Sequence, residues 1–208
     1  MPRQVKTSPL RQAQANATRA RIAEAAAVVF EARGFDAARV EDIASQAGVA
    51  YPTVYKSFGN KRKLLEAALD AVLSSGVAGA LERQDWFREQ LDAPTGEQQL
   101  RLIARNARRM YDRSGRLLEV VRAAAAADQQ IDGLWQDFHD ERVGRSRTSA
   151  ERLANKARLH TTVADAARTL WTLSVPEIYV LQVARGGLSA ADYERWLGDL
   201  LIAALLER

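Results

Sequence analysis

Apolar residues in the first third of the chain recur every three to four positions, in short runs separated by glycine. Ile22, Ala26 and Phe30, flanked by Ala25 and Val29, form one stripe at i, i+4 and i+8. This spacing predicts an amphipathic helix over 18–33 that ends at Gly34. Phe35 is expected to pack beneath it, and Val40, Ile43 and Ala44 predict a second helix over about 39–46. Val54 and Phe58 predict a third, opening near Tyr51 and Pro52, where proline is tolerated because first-turn amides lack an intrahelical partner. Ala44 is small enough for close helix packing, and Gly48 suits a sharp turn that demands positive φ. Two short helices across such a turn are the pattern of a helix-turn-helix, whose second helix enters the DNA major groove. The residues left exposed on that helix are Tyr51, Thr53, Tyr55, Lys56 and Ser57.

Downstream the helical period continues. Asn60 is a good N-cap for a helix carrying Leu64, Ala67, Ala68, Ala71 and Val72, expected to run toward Arg83 and to link the two halves. Thr95-Gly96-Glu97-Gln98 is a capping box for a helix to about Asp112, and another is expected from Arg116 to Ala127. A longer one runs from Ile131 toward Lys156, with Leu134, Trp135, Phe138 and Val143 on it. Thr162 with Asp165, Ser174 with Glu177, and Ser189 with Asp192 have N-cap spacing and predict helices from about Val163, Val175 and Ala190. Alternating segments that would make strands are missing, so the expected fold is all-α. Residues 1–17 show no sustained period and carry Pro2 and Pro9, the pattern of a flexible basic arm. Its Arg3, Lys6 and Arg11 would reach DNA, or the arm is a tail without a role. The division expected is arm 1–17, helix-turn-helix DNA-binding domain 18–65 and helical domain 66–208.

Charge sharpens this division. Residues 1–65 hold eleven Lys or Arg against five Asp or Glu, whereas the remaining residues hold 19 against 21. The basic excess thus belongs to the end with the helix-turn-helix, as expected where that end meets phosphates. Lys61, Arg62 and Lys63 crowd the positive end of a helix dipole, an arrangement that makes sense with a phosphate opposite. A chain of 208 residues without cysteine needs no disulfide staples and has no thiolate for catalysis or metal binding. With no apolar run of membrane length and no leader pattern, it is expected to be soluble and cytoplasmic, with no membrane partner.

Phe30, Gly34-Phe35, Asp42-Ile43-Ala44, Ala47-Gly48-Val49, Tyr55, Phe58, Lys61 and Leu64 together resemble the N-terminal domain of TetR-family transcriptional regulators. The resemblance spans about 18–69 and requires some ten positions to agree in register. Two positions depart from it: Arg39 stands where the family often has Thr, and Ala50 where it often has Ser, both usual capping positions. The resemblance implies a three-helix DNA-binding domain on a helical ligand-binding and dimerisation domain. It also implies a homodimer on a palindromic double-stranded operator, most often a repressor released by a small molecule. Thr53, Tyr51 and Lys56 are then candidates for base edges, and Tyr55, Lys61, Thr18 and Arg39 for phosphates. Thr18, Arg19 and Arg21 lie in the first turn expected for the opening helix.

The C-terminal half offers Trp86, Phe87, Tyr111, Trp135, Phe138, Trp171 and Tyr179 with the polar Arg105, Arg109, His139 and Gln182. Aromatics with a few polar groups suit a ligand cavity, and they suit any helical core equally. The ligand-site candidates are Trp86, Phe87, Arg105, Arg109, Tyr111, Trp135, Phe138, His139 and Trp171. Neither histidine sits in HxxxH spacing, and His139-Asp140-Glu141 point different ways around a helix, so no metal site is expected. No nucleophile elbow and no phosphate loop are present, so neither catalytic residue nor cofactor is expected. Trp171, Ile178, Leu181, Trp196, Leu197, Leu200 and Leu201 make an apolar surface wider than a chain end needs and are the dimer-interface candidates. Their other use is to close the monomer core. A regulator controlled by a protein partner, with no small-molecule effector, is the competing function.

Overall fold

The computed structural model describes residues 9–73 and 85–207. Among the described residues there are ten helices and no strand, apart from one isolated antiparallel bridge between Leu159 and Leu206. The chain divides into two compact units, Met1–Val77 and Ala78–Arg208.

In the first unit α1 (Pro9–Ala37), α2 (Val40–Ala47), α3 (Tyr51–Phe58) and α4 (Lys61–Leu73) enclose one core. Ile22, Ala26 and Phe30 of α1 meet Ile43 and Ala44 of α2, Val54 and Phe58 of α3, and Leu64, Leu65 and Ala68 of α4, all buried. The alanines let backbones approach closely, and the larger side chains interlock in the spaces left. Gly34, at φ 74°, breaks the helical path where the apolar stripe predicts a stop, and the Phe35 ring stacks on Phe30 with centroids 5.9 Å apart. Gly48 takes left-handed φ 63°, ψ 39°, so its amide and that of Val49 close onto Ser45 and Ala44 carbonyls, a Schellman stop that aims α3.

One expectation for this part of the chain changes. Residues 9–17, expected in the flexible arm, are the opening turns of α1. Leu10, Arg11, Gln12 and Ala13 are good helix formers behind a proline, and, being exposed, they show no apolar period. The rest of the arm, with Arg3 and Lys6, lies outside the described residues, as does the link helix beyond Leu73. Residues 66–73 belong to α4, which packs on α1 within the first unit.

The second unit comprises α5 (Asp85–Leu91), α6 (Gly96–Ala125), α7 (Gln129–Ala154), α8 (Val163–Leu173), α9 (Pro176–Tyr179) and α10 (Ala190–Leu205). α9 continues as a π-helical turn over Val180–Arg185. α6 is its axis, with α10 along one side and α7, itself backed by α8, along another. Leu100, Ala104, Leu117, Leu118 and Val121 of α6 face Ile131 and Leu153 of α7 and Leu197, Leu201 and Leu205 of α10 in a dry interior. The two helices expected over 96–112 and 116–127 are one. Gly115 continues the helix because it sits against Val180 and Tyr179, where a Cβ would lie 3.5 Å from Val180 Cγ2, so packing outweighs its low propensity. Thr95, Asp128, Thr162 and Ser189 each accept a first-turn amide. Ser174 does not cap the helix after it. Its hydroxyl donates back to the Leu170 carbonyl at the end of α8, and Val175 precedes the Pro176 that opens α9.

Candidate functional site

In the first unit the exposed face of α3 carries Tyr51 and Tyr55, 44% and 61% accessible, with exposed Lys56 beside them. Thr53 is half-buried, and Ser57 is turned inward enough for its hydroxyl to donate to the Thr53 carbonyl at 2.7 Å. Val54 and Phe58 anchor the opposite face, so the aromatic and cationic side chains face outward because the apolar ones are fixed inward. Neither Arg39 nor Ala50, the N-cap residues of α2 and α3, supplies a side-chain cap. Arg39 is exposed, and Thr18 is half-buried on α1.

Three of the cations have structural work inside this unit. The Arg19 guanidinium lies 4.2 Å from the Phe58 ring centroid and donates to the Ser57 carbonyl at the negative end of α3. It joins the early part of α1 to the end of α3, a role the sequence pattern alone did not reveal. Lys61 Nζ donates to the Asp36 carbonyl at 3.0 Å and sits 4.7 Å from the Phe35 ring centroid. Burial pulls the Lys61 ammonium below its ordinary pKa, with Asp36 pulling the other way. The cation-crowded first turn of α4 is therefore partly neutralised by its own protein, while Asn60 caps it through the Lys63 amide at 2.9 Å. Arg33 and Asp42, 2.6 Å apart, tie α1 to α2.

In the second unit α5, α6, α7 and α8 leave a cavity of about 60 Å³. Of the candidate ligand residues, Trp86, Phe87 and Tyr111 line it. The others do not. Arg105 is engaged with Glu89 at 2.9 Å and lines a second, more open pocket of about 620 Å³, and Arg109 is exposed on α6. Trp135, Phe138, His139 and Trp171 form a separate aromatic cluster, with the His139 ring edge-on to Trp135 at 4.4 Å and to Trp171 at 6.3 Å. They fall outside the cavity because they surround the next layer, the guanidinium of Arg142. Arg142 lies 5.9 Å from the Phe138 centroid, approaches His139 Nδ1 at 3.3 Å and donates to the Trp171 carbonyl at 2.8 Å. Burial holds the His139 imidazole below its usual pKa, Arg142 adds to this, and Glu177 and Asp140 oppose it.

The cavity's polar wall was missed. Arg142 and Arg145 are only 4% and 8% accessible, and both line it with Ser146 and Ser149 of the same helix. A signal existed: 131, 138, 142, 145, 149 and 153 share one helical face, so two arginines occupy positions whose period calls for apolar residues. Behind them runs a buried chain of amides. Asn106 donates to Gln90 Oε1 at 3.2 Å, and Gln90 donates to Ser149 Oγ at 3.1 Å. Tyr111 donates to the Ser174 carbonyl at 2.6 Å; burial raises its phenol pKa while Arg142 and Arg145 pull it down.

The dimer candidates separate into two sets. Leu197 and Leu201 are fully buried within their own chain and close the core, because α10 turns that face onto α6. Leu181 and Trp196 remain exposed, at 57% and 36%, and Trp171, Ile178 and Leu200 are half-buried. Among the described residues no three His, Cys, Asp or Glu side chains converge as a metal site would require, and no helix is long and apolar enough to cross a membrane.

Residues 22–68 match the family model described as bacterial regulatory proteins, tetR family. None of the curated proteins compared by sequence matches the chain. Among solved structures, a chain described as a TetR-family transcriptional regulator from Mesorhizobium loti is similar with a TM-score of 0.66 at 21% identity, covering 93% of this chain and 99% of that one. The SmeT–triclosan complex gives 0.71 at 20% identity, with 92% of each chain covered. A chain described as a transcriptional regulator from Saccharomonospora viridis, in complex with choline, gives 0.71 at 18% identity, covering 93% of this chain and all of that one. At such identities the likeness shows the fold, while the family model identifies the N-terminal helices. The chain therefore carries the helix-turn-helix domain of the tetR family of bacterial regulatory proteins and has the fold of TetR-family transcriptional regulators.

Proposed function

We propose that the protein is a homodimeric, sequence-specific transcriptional repressor whose hold on a palindromic operator weakens when a small molecule enters the cavity between α5, α6, α7 and α8. The observation that carries the reading is the outward face of α3, where Tyr51, Tyr55 and Lys56 stand exposed on a helix fixed from behind by Val54 and Phe58. Thr53, Tyr51 and Lys56 would meet base edges; Tyr55, Lys61, Thr18 and Arg39 would meet phosphates. A single eight-residue helix offers little contact area, whereas a two-fold pair reads two half-sites about 34 Å apart. The apolar Leu181 and Trp196 would supply the dimer surface. A ligand acts here only by binding one arrangement of the two reading heads better than another, since equal affinity shifts nothing. The solved relatives with triclosan and with choline support a ligand site in this fold.

The test is fluorescence anisotropy with duplexes tiled across the DNA flanking the coding region. One duplex is expected to bind at least about a hundredfold more tightly than random competitor, with affinity falling steeply as salt rises. Equal binding to every duplex at moderate ionic strength would sink the proposal.

A further inference from the structure

The outward face of α3 can read a groove only if the helix behind it is held still. With eight residues α3 is shorter than helices that persist alone in water, and no side chain caps its first turn. Its backbone runs against α2 and α4. From α1 it is reached at its other end by Arg19, which makes two kinds of contact there. The guanidinium lies 4.2 Å from the Phe58 ring centroid, and its Nη1 donates to the Ser57 carbonyl.

The carbonyls at that end take their hydrogen bonds from different sources. Gly59, at φ 76°, turns the chain so that its amide donates to the Tyr55 carbonyl at 2.7 Å, and the Asn60 amide donates to the Phe58 carbonyl at 2.9 Å. Ser57 lies between them and receives its donor from α1. A charged donor binds a carbonyl more strongly than a neutral one, and the negative end of the helix dipole adds to the attraction. Val54 and Phe58 are buried, so the last turn of α3 is pinned by apolar side chains from within and by Arg19 from α1.

The same contacts argue against a phosphate as the partner of Arg19. A phosphate beside this guanidinium would stand at the negative end of α3, where the carbonyls repel it. What Arg19 controls is direction. Tyr55 and Lys56 precede Ser57 on the outward face. α3 is about 12 Å long, so a tilt of about 5° pivoting on its first turn moves its far end by ~1 Å. That shift takes a base-edge hydrogen bond out of its useful range.

We infer that Arg19 is a positioning residue for the recognition helix, setting the tilt of α3 from α1 and so determining sequence discrimination without itself touching DNA. This rests on the reading above that α3 meets base edges.

Fluorescence anisotropy on the full chain, with the duplex it prefers and a random duplex, and hydrogen exchange on the DNA-free protein test it. Arg19→Met keeps an unbranched cover over Phe58 and removes the charge and the donors. It is expected to lower the preference for the chosen duplex at least about tenfold, with random-duplex affinity and salt slope as in the parent chain. The amides of α3 are expected to exchange at least about tenfold faster, and those of α2 at the parent rate. Arg21→Met removes the same charge from another face of α1 and is expected to keep both preference and protection. Arg19→Lys restores a cation and a donor without the flat stacking surface, and is expected to recover part of the preference. The inference is overturned if Arg19→Met weakens both duplexes alike and loses about one unit of salt slope, as a phosphate contact would. It is overturned equally if that variant lowers Tm with the preference intact, if exchange in α3 is unchanged, if Arg21→Met has the same effect, or if Arg19→Lys is no better than Arg19→Met. A parent chain that prefers no duplex removes the reading of α3 instead, and the exchange measurement still decides whether Arg19 holds the helix.

Discussion

Lys61 and Lys56 are both basic residues of the first unit, and their surroundings assign them different energetics. Lys61 is held by the Asp36 carbonyl and the Phe35 ring, so Lys61→Ala is expected to cost about 0.5–1 kcal/mol of stability, seen as a lower Tm. Lys56→Ala, on an exposed face, should leave Tm unchanged while relaxing base preference at one operator position by about 1–3 kcal/mol. Equal Tm values for the two variants would show that the Lys61 contacts contribute nothing. His139 carries a pH dependence whose sign follows from burial. Its folded pKa lies below the ordinary imidazole value of 6.5, so the unfolded chain binds more protons in that range. The contribution to stability is complete above the unfolded pKa and is lost as pH falls through 6.5 toward the folded value. Tm measured from pH 7.5 down to 5 should therefore fall less steeply in His139→Gln than in the parent chain, and parallel curves would contradict this. At this scale the chain was half legible. The outward set on α3 followed from helical spacing, but the docking of Arg19 on the end of α3 and the burial of Arg142 and Arg145 depend on neighbours remote in sequence.

Among elements, the helix ends with local chemistry were readable and those set by packing were not. Thr95, Thr162 and Ser189 cap as their spacing predicts because the donor lies only three residues away. Ser174 has the same spacing and does the opposite, since the proline two residues on starts α9 and leaves its hydroxyl to the helix behind. α6 runs through Ser114-Gly115 because both are buried against neighbouring elements, which no local propensity conveys. The missing cap at Ala50 yields a prediction for α3. Its backbone is already extended, at φ −71° and ψ 144°, so a serine needs no rearrangement to accept a first-turn amide. Ala50→Ser is expected to stabilise the protein by about 0.5–1 kcal/mol, read as an increase in Tm or denaturant midpoint. A decrease would mean that the first turn of α3 has no amide open to a side-chain cap.

For the whole molecule, assembly is the property in question, and α10 separates core from surface residue by residue. Leu201→Ala removes a fully buried side chain and is expected to cost about 2–5 kcal/mol whatever the oligomeric state. Leu181→Glu and Trp196→Glu change exposed positions and should leave the monomer folded while shifting sedimentation from dimer to monomer. A dimer that survives both substitutions would move the interface elsewhere.

By itself the sequence determined the helical class, the glycine-punctuated helix-turn-helix and the basic end of the chain, because period, turn chemistry and charge are local quantities. Only the tertiary structure decided which of several apolar residues on one helix face its own core, which cation turns inward, and where two arginines enclose a cavity. Those outcomes depend on surfaces far apart in the chain meeting and excluding water, and no single stretch of residues contains that information.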